Sequence, residues 1–278
     1  MKLEIDRPEN VVLEELTPNV RGITLKSGAE LHQMRMAGQV VSAVIEVVLE
    51  SIKPGIKAKD LDYIAAMEIE RLGAKPSFKG YRGFPATICV SFNEEIVHGI
   101  PGERIVSDGD VLSLDVGAIV GGYHSDSAVT VAVGEVDSVV SDLIENTRLS
   151  LEEGISKVTP GSRIGDVSSA VQNFAESRGY GVVREYVGHG IGRALHEEPS
   201  VPNFGDAGKG LLLRPGMVIA VEPMLNMGSW RTRVLEDDWT VVTEDGSLSA
   251  HFEHTVAITD KGAEVLTRRN NECIGESG

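Results

Sequence analysis

The stretch Asp110–Val133, DVLSLDVGAIVGGYHSDSAVTVAV, decides the fold of this chain. Apolar and polar residues alternate in it on both sides of Gly121-Gly122, and alternation with a period of two is typical of a half-buried strand. Two adjacent glycines tolerate the positive φ that a two-residue hairpin turn requires. The stretch therefore predicts two antiparallel strands joined by a tight turn.

The predicted hairpin carries two aspartates on one face. With Gly121-Gly122 as the turn, Asp126 lies opposite Gly117 and Asp115 lies opposite Ala128. The two aspartates are then diagonal neighbours, with Cβ atoms roughly 7 Å apart or less. Two buried carboxylates at about 4 Å would repel by roughly 4 kcal/mol at an effective dielectric constant of 20. This face therefore needs a shared proton or a cation, unless it is simply a solvated strand face.

Composition and charge disfavour several classes of protein. The chain has 278 residues, a net charge of −16 and two cysteines. The negative charge disfavours binding to nucleic acid or to an anionic membrane, and so few cysteines indicate a reducing compartment without a disulfide framework. The N-terminus has no signal-peptide pattern, and no apolar run reaches membrane-spanning length. We expect a cytoplasmic protein with one large domain, and a monomer by default.

Two pairs of helices are predicted outside the hairpin. Ser27 and Glu30 form a capping box at the start of the first helix, and Lys53-Pro54-Gly55 ends it. The apolar periodicity predicts the other three helices at residues 58–71, 138–155 and 166–177. A short strand is predicted at residues 87–91.

The helix pairs belong to an internal repeat. Three landmark residues of the first pair recur 106 residues later in the second: Pro54, Asp60 and Gly73 correspond to Pro160, Asp166 and Gly179. A second acidic hairpin is also predicted, in which Glu222 is the counterpart of Asp115 and Glu253 that of Asp126. If the repeat is not a coincidence, two half-domains related by a pseudo-twofold axis bring four carboxylates into one cleft.

Four carboxylates in one cleft indicate a metal site, because two divalent cations would balance their charge. Oxygen-only sites suit magnesium or calcium, whereas one added imidazole favours manganese, iron, cobalt or zinc. Three of the seven histidines stand out: His98 in HGIP, His189 in GHGIG and His196 before EEP. Flanking glycines allow a tight backbone that presents an imidazole, although an ordinary loop has the same pattern. The others, His32, His124, His251 and His254, are expected on surfaces or in packing.

These motifs resemble those of the type I methionine aminopeptidases, from about Gly22 to Thr267. The matching motifs are Asn93-Glu94-Glu95 leading to His98-Gly99-Ile100-Pro101, Asp115-Val116-Gly117, Gly188-His189-Gly190-Ile191-Gly192 through His196-Glu197-Glu198-Pro199, Glu222-Pro223, and Ser247-Leu248-Ser249-Ala250 through Glu253-His254-Thr255. The resemblance implies an α+β pita-bread (creatinase/aminopeptidase) fold, with two pseudo-twofold related αβ halves, an antiparallel sheet and flanking helices. We expect an N-terminal extension at 1–26, a single catalytic domain at 27–267 with halves at about 27–135 and 136–267, and a polar tail at 268–278.

The resemblance also implies a function. It is the removal of the initiator methionine from nascent proteins and peptides, by hydrolysis at a carboxylate-bridged dinuclear metal site. The implied cofactors are two divalent ions (Co, Mn, Fe or Zn), since this ligand set accepts several metals. Five residues match the metal ligands: Asp115, Asp126, His189, Glu222 and Glu253. Asp126 and Glu253 are implied to bridge the ions, and the α-amine of the substrate is implied to bind beside Asp115.

Residues around the metals have implied roles as well. Glu222 accepts and passes a proton, His196 donates a hydrogen bond to the developing oxyanion, and His98 contacts the substrate near the scissile amide. Six positions match a narrow pocket for methionine: Phe78, Tyr81, Phe84, Cys89, Leu195 and Trp239. Each of these is otherwise an ordinary core residue; position 195 is often aromatic in relatives, and position 78 is often smaller. A monovalent cation site is implied at Asn93, Glu95 and Ser249.

The expected partners are peptide and nascent-protein N-termini that start with methionine, and transiently the ribosome. Two alternatives share the fold. A proline-specific aminopeptidase P or prolidase has the same ligand types but usually an additional N-terminal domain, whereas about two dozen residues precede the resemblance here. A non-catalytic binding member would tend to lose ligands, and all five ligand positions are filled in this chain.

Overall fold

The computed structural model describes residues 22–269. The expected N-terminal extension therefore lies outside the described residues except for its last five positions, and the expected tail lies outside them except for Arg268 and Arg269. None of the helices in this part of the chain has the length and apolarity that crossing a membrane would need.

Four helices frame the structure: α1 Gly28–Ser51, α2 Ala58–Arg71, α3 Ser138–Ile155 and α4 Ile164–Glu176. The predicted capping box of α1 is confirmed, because the Glu30 carboxylate accepts the Ser27 N–H at 2.8 Å while the Ser27 hydroxyl accepts the Glu30 N–H. Helix α4 begins two residues before the predicted start. Asp166 belongs to its first turn, where the carboxylate accepts the Arg163 N–H at 2.7 Å.

Fifteen short strands form four antiparallel sheets within the described residues. In chain order they are β1 Lys75–Pro76, β2 Ile88–Phe92, β3 Glu95–Val97, β4 Val111–Val120, β5 Tyr123–Ala132, β6 Gly181–Val182, β7 Gly188–Gly190, β8 Glu197–Val201, β9 Val218–Val221, β10 Met224–Asn226, β11 Thr232–Val234, β12 Val241–Thr243, β13 Ser249–His251, β14 His254–Thr259 and β15 Gly262–Val265. The sheet of the first half has the order β1-β4-β2 with β5 also on β4, and that of the second half has the order β15-β14-β9-β7-β8.

The predicted hairpin register is confirmed in β4 and β5. Gly117 pairs with Asp126 and Asp115 pairs with Ala128, with no bulge in the ladder. The turn residues Gly121 and Gly122 have φ values of 58° and 82°, which glycine adopts without steric strain. Both aspartates therefore project from the same face of the hairpin.

The internal repeat is also confirmed. Strand β4 pairs with β5 and β2, and β9 pairs in the same way with β14 and β7. Both helix pairs end at a glycine with positive φ, 71° at Gly73 and 86° at Gly179. The halves meet where Ala128 and Glu253 exchange backbone hydrogen bonds of 3.4 and 3.0 Å. This junction carries the acids of both halves to the middle of the fold.

The expectation of a second hairpin is wrong. Strands β9 and β14 pair as expected, with His254 opposite Val221, but residues 222–253 intervene and contain β10 to β13. No glycine pair follows β9 to turn the chain back at once. Glu222 directly follows the last residue of β9, and Glu253 directly precedes the first residue of β14. The two acids therefore still lie at the same end of the β9–β14 ladder.

One apolar core is shared by both halves. It lies on the face of β4 opposite the aspartates, and α1 packs over β4 and β5. Its fully buried members come from helices and from both sheets: Val41, Ile45, Leu61, Leu112, Leu114, Val116, Ile219, Val221 and Val256. Because the core occupies this face, the acidic face is left to line a cavity.

Candidate active site

A cavity of about 410 Å³ lies over the acidic face of the β4–β5 hairpin. It collects thirteen residues that the sequence and the family resemblance single out: Phe78, Tyr81, Phe84, Cys89, His98, Asp115, Asp126, His189, Leu195, His196, Glu222, Trp239 and Glu253. Strand β4 supplies Asp115, β5 supplies Asp126, and β7 supplies His189. Asp126 and His189 are more than 60 positions apart in the sequence, and the fold brings their side chains to the same cavity.

Asp126, His189 and Glu253 have ligand atoms within 4.8 Å of one another, and all three residues are buried. His189 Nε2 lies 3.6 Å from both Asp126 Oδ2 and Glu222 Oε1. Its other nitrogen, Nδ1, is 2.9 Å from the carbonyl oxygen of Gly190. A carbonyl can only accept, so Nδ1 carries the proton and Nε2 presents a lone pair to the carboxylates, as a metal ligand requires.

Burial governs the charge of the site. It raises the pKa of Asp115, Glu222 and Glu253 well above the ordinary carboxyl values, and repulsion among the neighbouring acids adds to it. Burial also raises the pKa of Asp126, to about 6, although the hydrogen bond with the Thr255 hydroxyl lowers it. Burial lowers the pKa of His189 to about 4, so its imidazole is neutral. A bound cation would favour the ionised form of these buried acids.

The donor set fits divalent metal. Asp115 Oδ1 is buried and has no hydrogen-bond partner among residues 22–269. Four carboxylates beside one neutral imidazole match the ligands that manganese, iron, cobalt and zinc accept. An orphaned carboxylate oxygen within a group of raised-pKa acids is what a missing cation would leave behind.

Two further histidines flank the acids. The His196 ring lies 4.2 Å from that of His189 between centroids, and its Nδ1 is 2.8 Å from the Tyr81 hydroxyl. His98 has a left-handed backbone with φ of 62°, and its ring meets the edges of Tyr186 and Trp239. Burial lowers the pKa of both His98 and His196 to about 4, so both are neutral near pH 7.

Apolar side chains line the rest of the cavity. Phe78, Phe84, Cys89 and Leu195 are buried there, and the Phe84 ring meets Trp239 edge-on at 5.0 Å. Gly117 lets this lining approach β4, because a Cβ at that position would lie 2.7 Å from Phe78 Cε1. An unbranched apolar side chain would fit between these aromatic residues.

Two cavity residues escaped the sequence analysis. Tyr186 lies three positions before His189, so its closeness to the GHGIG motif was the only available signal. Arg82 is exposed at the rim with φ of 47° and lies between Tyr81 and Gly83. The neighbouring glycines of the segment 80–83 are consistent with a tight loop, but they do not indicate which way the guanidinium points.

The segments expected to hold a monovalent cation are adjacent. The Ser249 N–H donates to the Asn93 carbonyl oxygen at 2.9 Å, and Glu95 pairs with Val242 of β12. The Asn93 amide bonds Asp110 and the Glu95 carboxylate accepts the Phe92 N–H. The Ser249 hydroxyl donates to the Leu225 carbonyl oxygen at 3.3 Å, so the side chains at all three positions are engaged with protein partners.

Comparison with known proteins identifies the family. The model described as "Metallopeptidase family M24" matches residues 32–260. Methionine aminopeptidase 1 of Bacillus subtilis is 51% identical over 246 residues, which are 88% of this chain and 99% of the relative. The chain belongs to the methionine aminopeptidases of metallopeptidase family M24. The family is one of metallopeptidases, and Asp126, His189 and Glu253 are the candidate metal-binding group in the cavity.

Other relatives agree. Methionine aminopeptidase of Clostridium acetobutylicum is 48% identical over 88% of this chain and 98% of the relative. The crystal structure of methionine aminopeptidase from Thermotoga maritima superimposes with a TM-score of 0.88 at 47% identity, over 89% of this chain and all of that one. A prolidase from Pyrococcus furiosus gives a TM-score of 0.74 at 21% identity, over 89% of this chain and 66% of that one, and shows the fold alone. The fold is the pita-bread fold, as expected.

Proposed function

We propose that this protein removes the N-terminal methionine from nascent proteins and peptides by metal-dependent hydrolysis. One observation carries the proposal: ligand-type side chains converge in a cavity that apolar and aromatic side chains also line. The ligand-type side chains suit metal-assisted hydrolysis, and the apolar and aromatic ones suit a flexible thioether side chain. Relatives at 44–51% identity that carry the name methionine aminopeptidase support it.

The residues proposed to hold the metal are Asp115, Asp126, His189, Glu222 and Glu253. Their four carboxylates would balance two divalent ions, with Asp126 and Glu253 shared between the ions. When bound, such ions lower the pKa of water and polarise a carbonyl group. Co, Mn, Fe and Zn all suit the ligand set. The closeness of Asp126, His189 and Glu253 supports this assignment.

The protein groups around the reacting bond have separate tasks. Glu222 accepts a proton and passes it to the leaving amine, as a positioned carboxylate does in general acid–base catalysis. His196 donates a hydrogen bond from Nε2 to the developing oxyanion, since the Tyr81 hydroxyl donates to Nδ1 and thereby selects the Nε2–H tautomer. His98 contacts the substrate beside the scissile amide. Its fixed backbone and aromatic neighbours support that role.

The methionine side chain lies against Tyr81, Phe84, Cys89, Trp239, Phe78 and Leu195 in this proposal. Leu195 and Phe78 are both buried, at 3% and 8% exposure, and narrow the pocket from two sides. A narrow apolar pocket accepts an unbranched apolar side chain, whereas a charged side chain would be buried there without a partner. Selectivity then follows from shape and desolvation together.

The cellular setting follows from the same activity. The protein acts in the cytoplasm as a monomer and meets nascent N-termini transiently at the ribosome. The net charge of −16 and the two cysteines support a reducing compartment without specific nucleic-acid binding. A monovalent cation at Asn93, Glu95 and Ser249 would rest largely on backbone carbonyl groups, since all three side chains have protein partners.

The test compares four peptides with each metal and with a chelator. Met-Ala-Ser should lose methionine with Co, Mn, Fe or Zn, and chelation should abolish the release. N-acetylated Met-Ala-Ser is the matched control and should stay intact, because the free amine is part of the recognised group. Ala-Pro and Met-Pro-Ser test the proline-specific alternative. Release of the residue before proline, with Met-Ala-Ser untouched, would overturn the proposal.

A further inference from the structure

Lys26 and Glu197 form a buried ion pair directly behind His196. Lys26 Nζ lies 2.8 Å from Glu197 Oε2, and the two side chains are only 4% and 12% exposed. The Thr24 hydroxyl joins them, since it accepts from Lys26 Nζ at 2.7 Å and lies 2.7 Å from Glu197 Oε2. Among residues 22–269, the ammonium is hydrogen-bonded to Thr24 and Glu197 alone. The pair ties the lead-in to α1 to a segment 171 residues further along the chain.

The segment 192–197 carries His196 into the cavity, and the ion pair holds this segment from behind. Glu197 Oε1 accepts the Ala194 N–H at 3.1 Å, which closes the loop on itself. A Cβ at Gly192 would lie 2.6 Å from Lys26 Cε and 2.7 Å from Glu197 Oε1, so the pair packs against the loop backbone. Lys26 is itself fixed, because its N–H donates to the Gly216 carbonyl oxygen at 2.6 Å.

His196 and Glu197 have different neighbours. The ring of His196 faces His189, while the carboxylate of Glu197 faces Lys26. A displacement of Glu197 would therefore displace His196 through one peptide unit. Removing either charge would leave the other buried and unpaired, and a buried unpaired charge rearranges its surroundings to reach water.

We infer that Lys26 and Glu197 are positioning residues for the reaction: their ion pair fixes the segment 192–197, and through it the placement of His196. The inference rests on the proposed aminopeptidase function for its kinetic readout. Neither residue touches the cavity, so neither contacts the substrate. Their effect is on the geometry of a hydrogen-bond donor that acts only when oxyanion charge develops.

The first experiment separates turnover from binding. Lys26→Met and Glu197→Gln keep the side-chain length and remove the charge. Both variants should lower kcat by about 10-fold to 10²-fold, the loss expected when a catalytic group is displaced by about 1 Å. KM should stay within about twofold of the wild-type value. Elemental analysis should find the same metal content. The matched control is Arg35→Met, which breaks the half-exposed Arg35–Glu264 ion pair of 2.6 Å and should leave kcat within about twofold.

The second experiment asks whether Lys26 acts through His196. In a His196→Ala background, Lys26→Met should lower kcat by no more than about twofold relative to His196→Ala alone, because the group that Lys26 positions is already absent. A merely structural role would lower kcat by the same factor in both backgrounds. Equal factors, or a Lys26→Met kcat within about twofold of wild type, would overturn the inference. Glu197→Gln supplies the same cycle if Lys26→Met does not fold.

The third experiment does not depend on activity. In the diamagnetic zinc-loaded protein, the ring nitrogen signals of His196 in long-range ¹H–¹⁵N spectra should shift in Lys26→Met and stay unchanged in Arg35→Met. Unchanged His196 signals in Lys26→Met would overturn the inference. If wild-type protein releases no methionine while these signals still shift, the proposed function fails and the positioning of His196 stands.

Discussion

Gly190→Ala should separate two strands of the candidate metal site. Gly190 follows the proposed ligand His189 in β7, and its ideal Cβ would lie 2.1 Å from the Glu198 carbonyl oxygen and 2.6 Å from the Glu198 carbonyl carbon. Both atoms belong to the backbone, which cannot rotate away as a side chain would. An ordinary contact needs at least 3.4 Å, so Gly190 and Glu198 would have to move apart by about 1 Å.

The size of the effect follows from that displacement. Overpacking of this kind costs typically about 1–3 kcal/mol, and each 1 kcal/mol lowers Tm by about 2–4 °C in a domain of this size. We expect Tm to fall by roughly 2–12 °C. Because His189 moves with the strand, kcat should fall by about 10²-fold and the metal should bind more weakly.

Thermal unfolding with and without metal, together with elemental analysis, measures both effects. Gly28→Ala is the matched control, since a Cβ there meets nothing within 4 Å and its φ is ordinary. Alanine also has the higher helix propensity, so this variant should be as stable as wild type or slightly more stable. A Gly190→Ala protein with the Tm and metal content of Gly28→Ala would refute the steric argument.

Three further predictions concern single side chains. Asp126→Asn should leave at most one tightly held metal ion by elemental analysis, because Asp126 is proposed to bridge two; retention of both ions would remove that role. His196→Ala should keep its metal but slow turnover by about 10² or more, and near-normal kcat would exclude it from the mechanism. The Tyr123 hydroxyl is the first cause that lowers the pKa of Glu30, to about 2 from 4.5, so this carboxylate stabilises the fold above about pH 4.5 and loses that contribution as pH falls towards 2. Tyr123→Phe should therefore cost about 1 kcal/mol at pH 7 in chemical denaturation and less at pH 3; an equal deficit at both pH values would contradict the assignment.

Local sequence patterns were sufficient to predict much of the fold. The register of β4 and β5 followed from alternation around two glycines, and the start of α1 followed from the Ser27–Glu30 capping box. Those features depend on residues close in sequence, whose conformational preferences act before any tertiary contact forms. The repeat carried the same reasoning to the second half, but it failed at the second hairpin, where an insertion replaces the turn.

The candidate site was reached by two routes. The hairpin and the repeat alone indicated the four acids, since both are sequence patterns with a defined geometry. The flanking motifs singled out His98, His189 and His196, but the roles of these histidines and the apolar pocket came from family resemblance, because no periodicity distinguishes a cavity residue from a core residue. The structure brings all of them into one cavity, and their individual roles remain proposals for the experiments above.

By itself, the sequence determined which short segments form strands and helices and which face of the central hairpin bears Asp115 and Asp126. Only the tertiary structure decided that β10 to β13 separate Glu222 from Glu253, that Arg82 and Tyr186 line the same cavity, and that Lys26 pairs with Glu197. The physical reason is distance along the chain. Contacts between residues that are 100 or more positions apart depend on how whole sheets and helices pack, and no local pattern of residues encodes that packing.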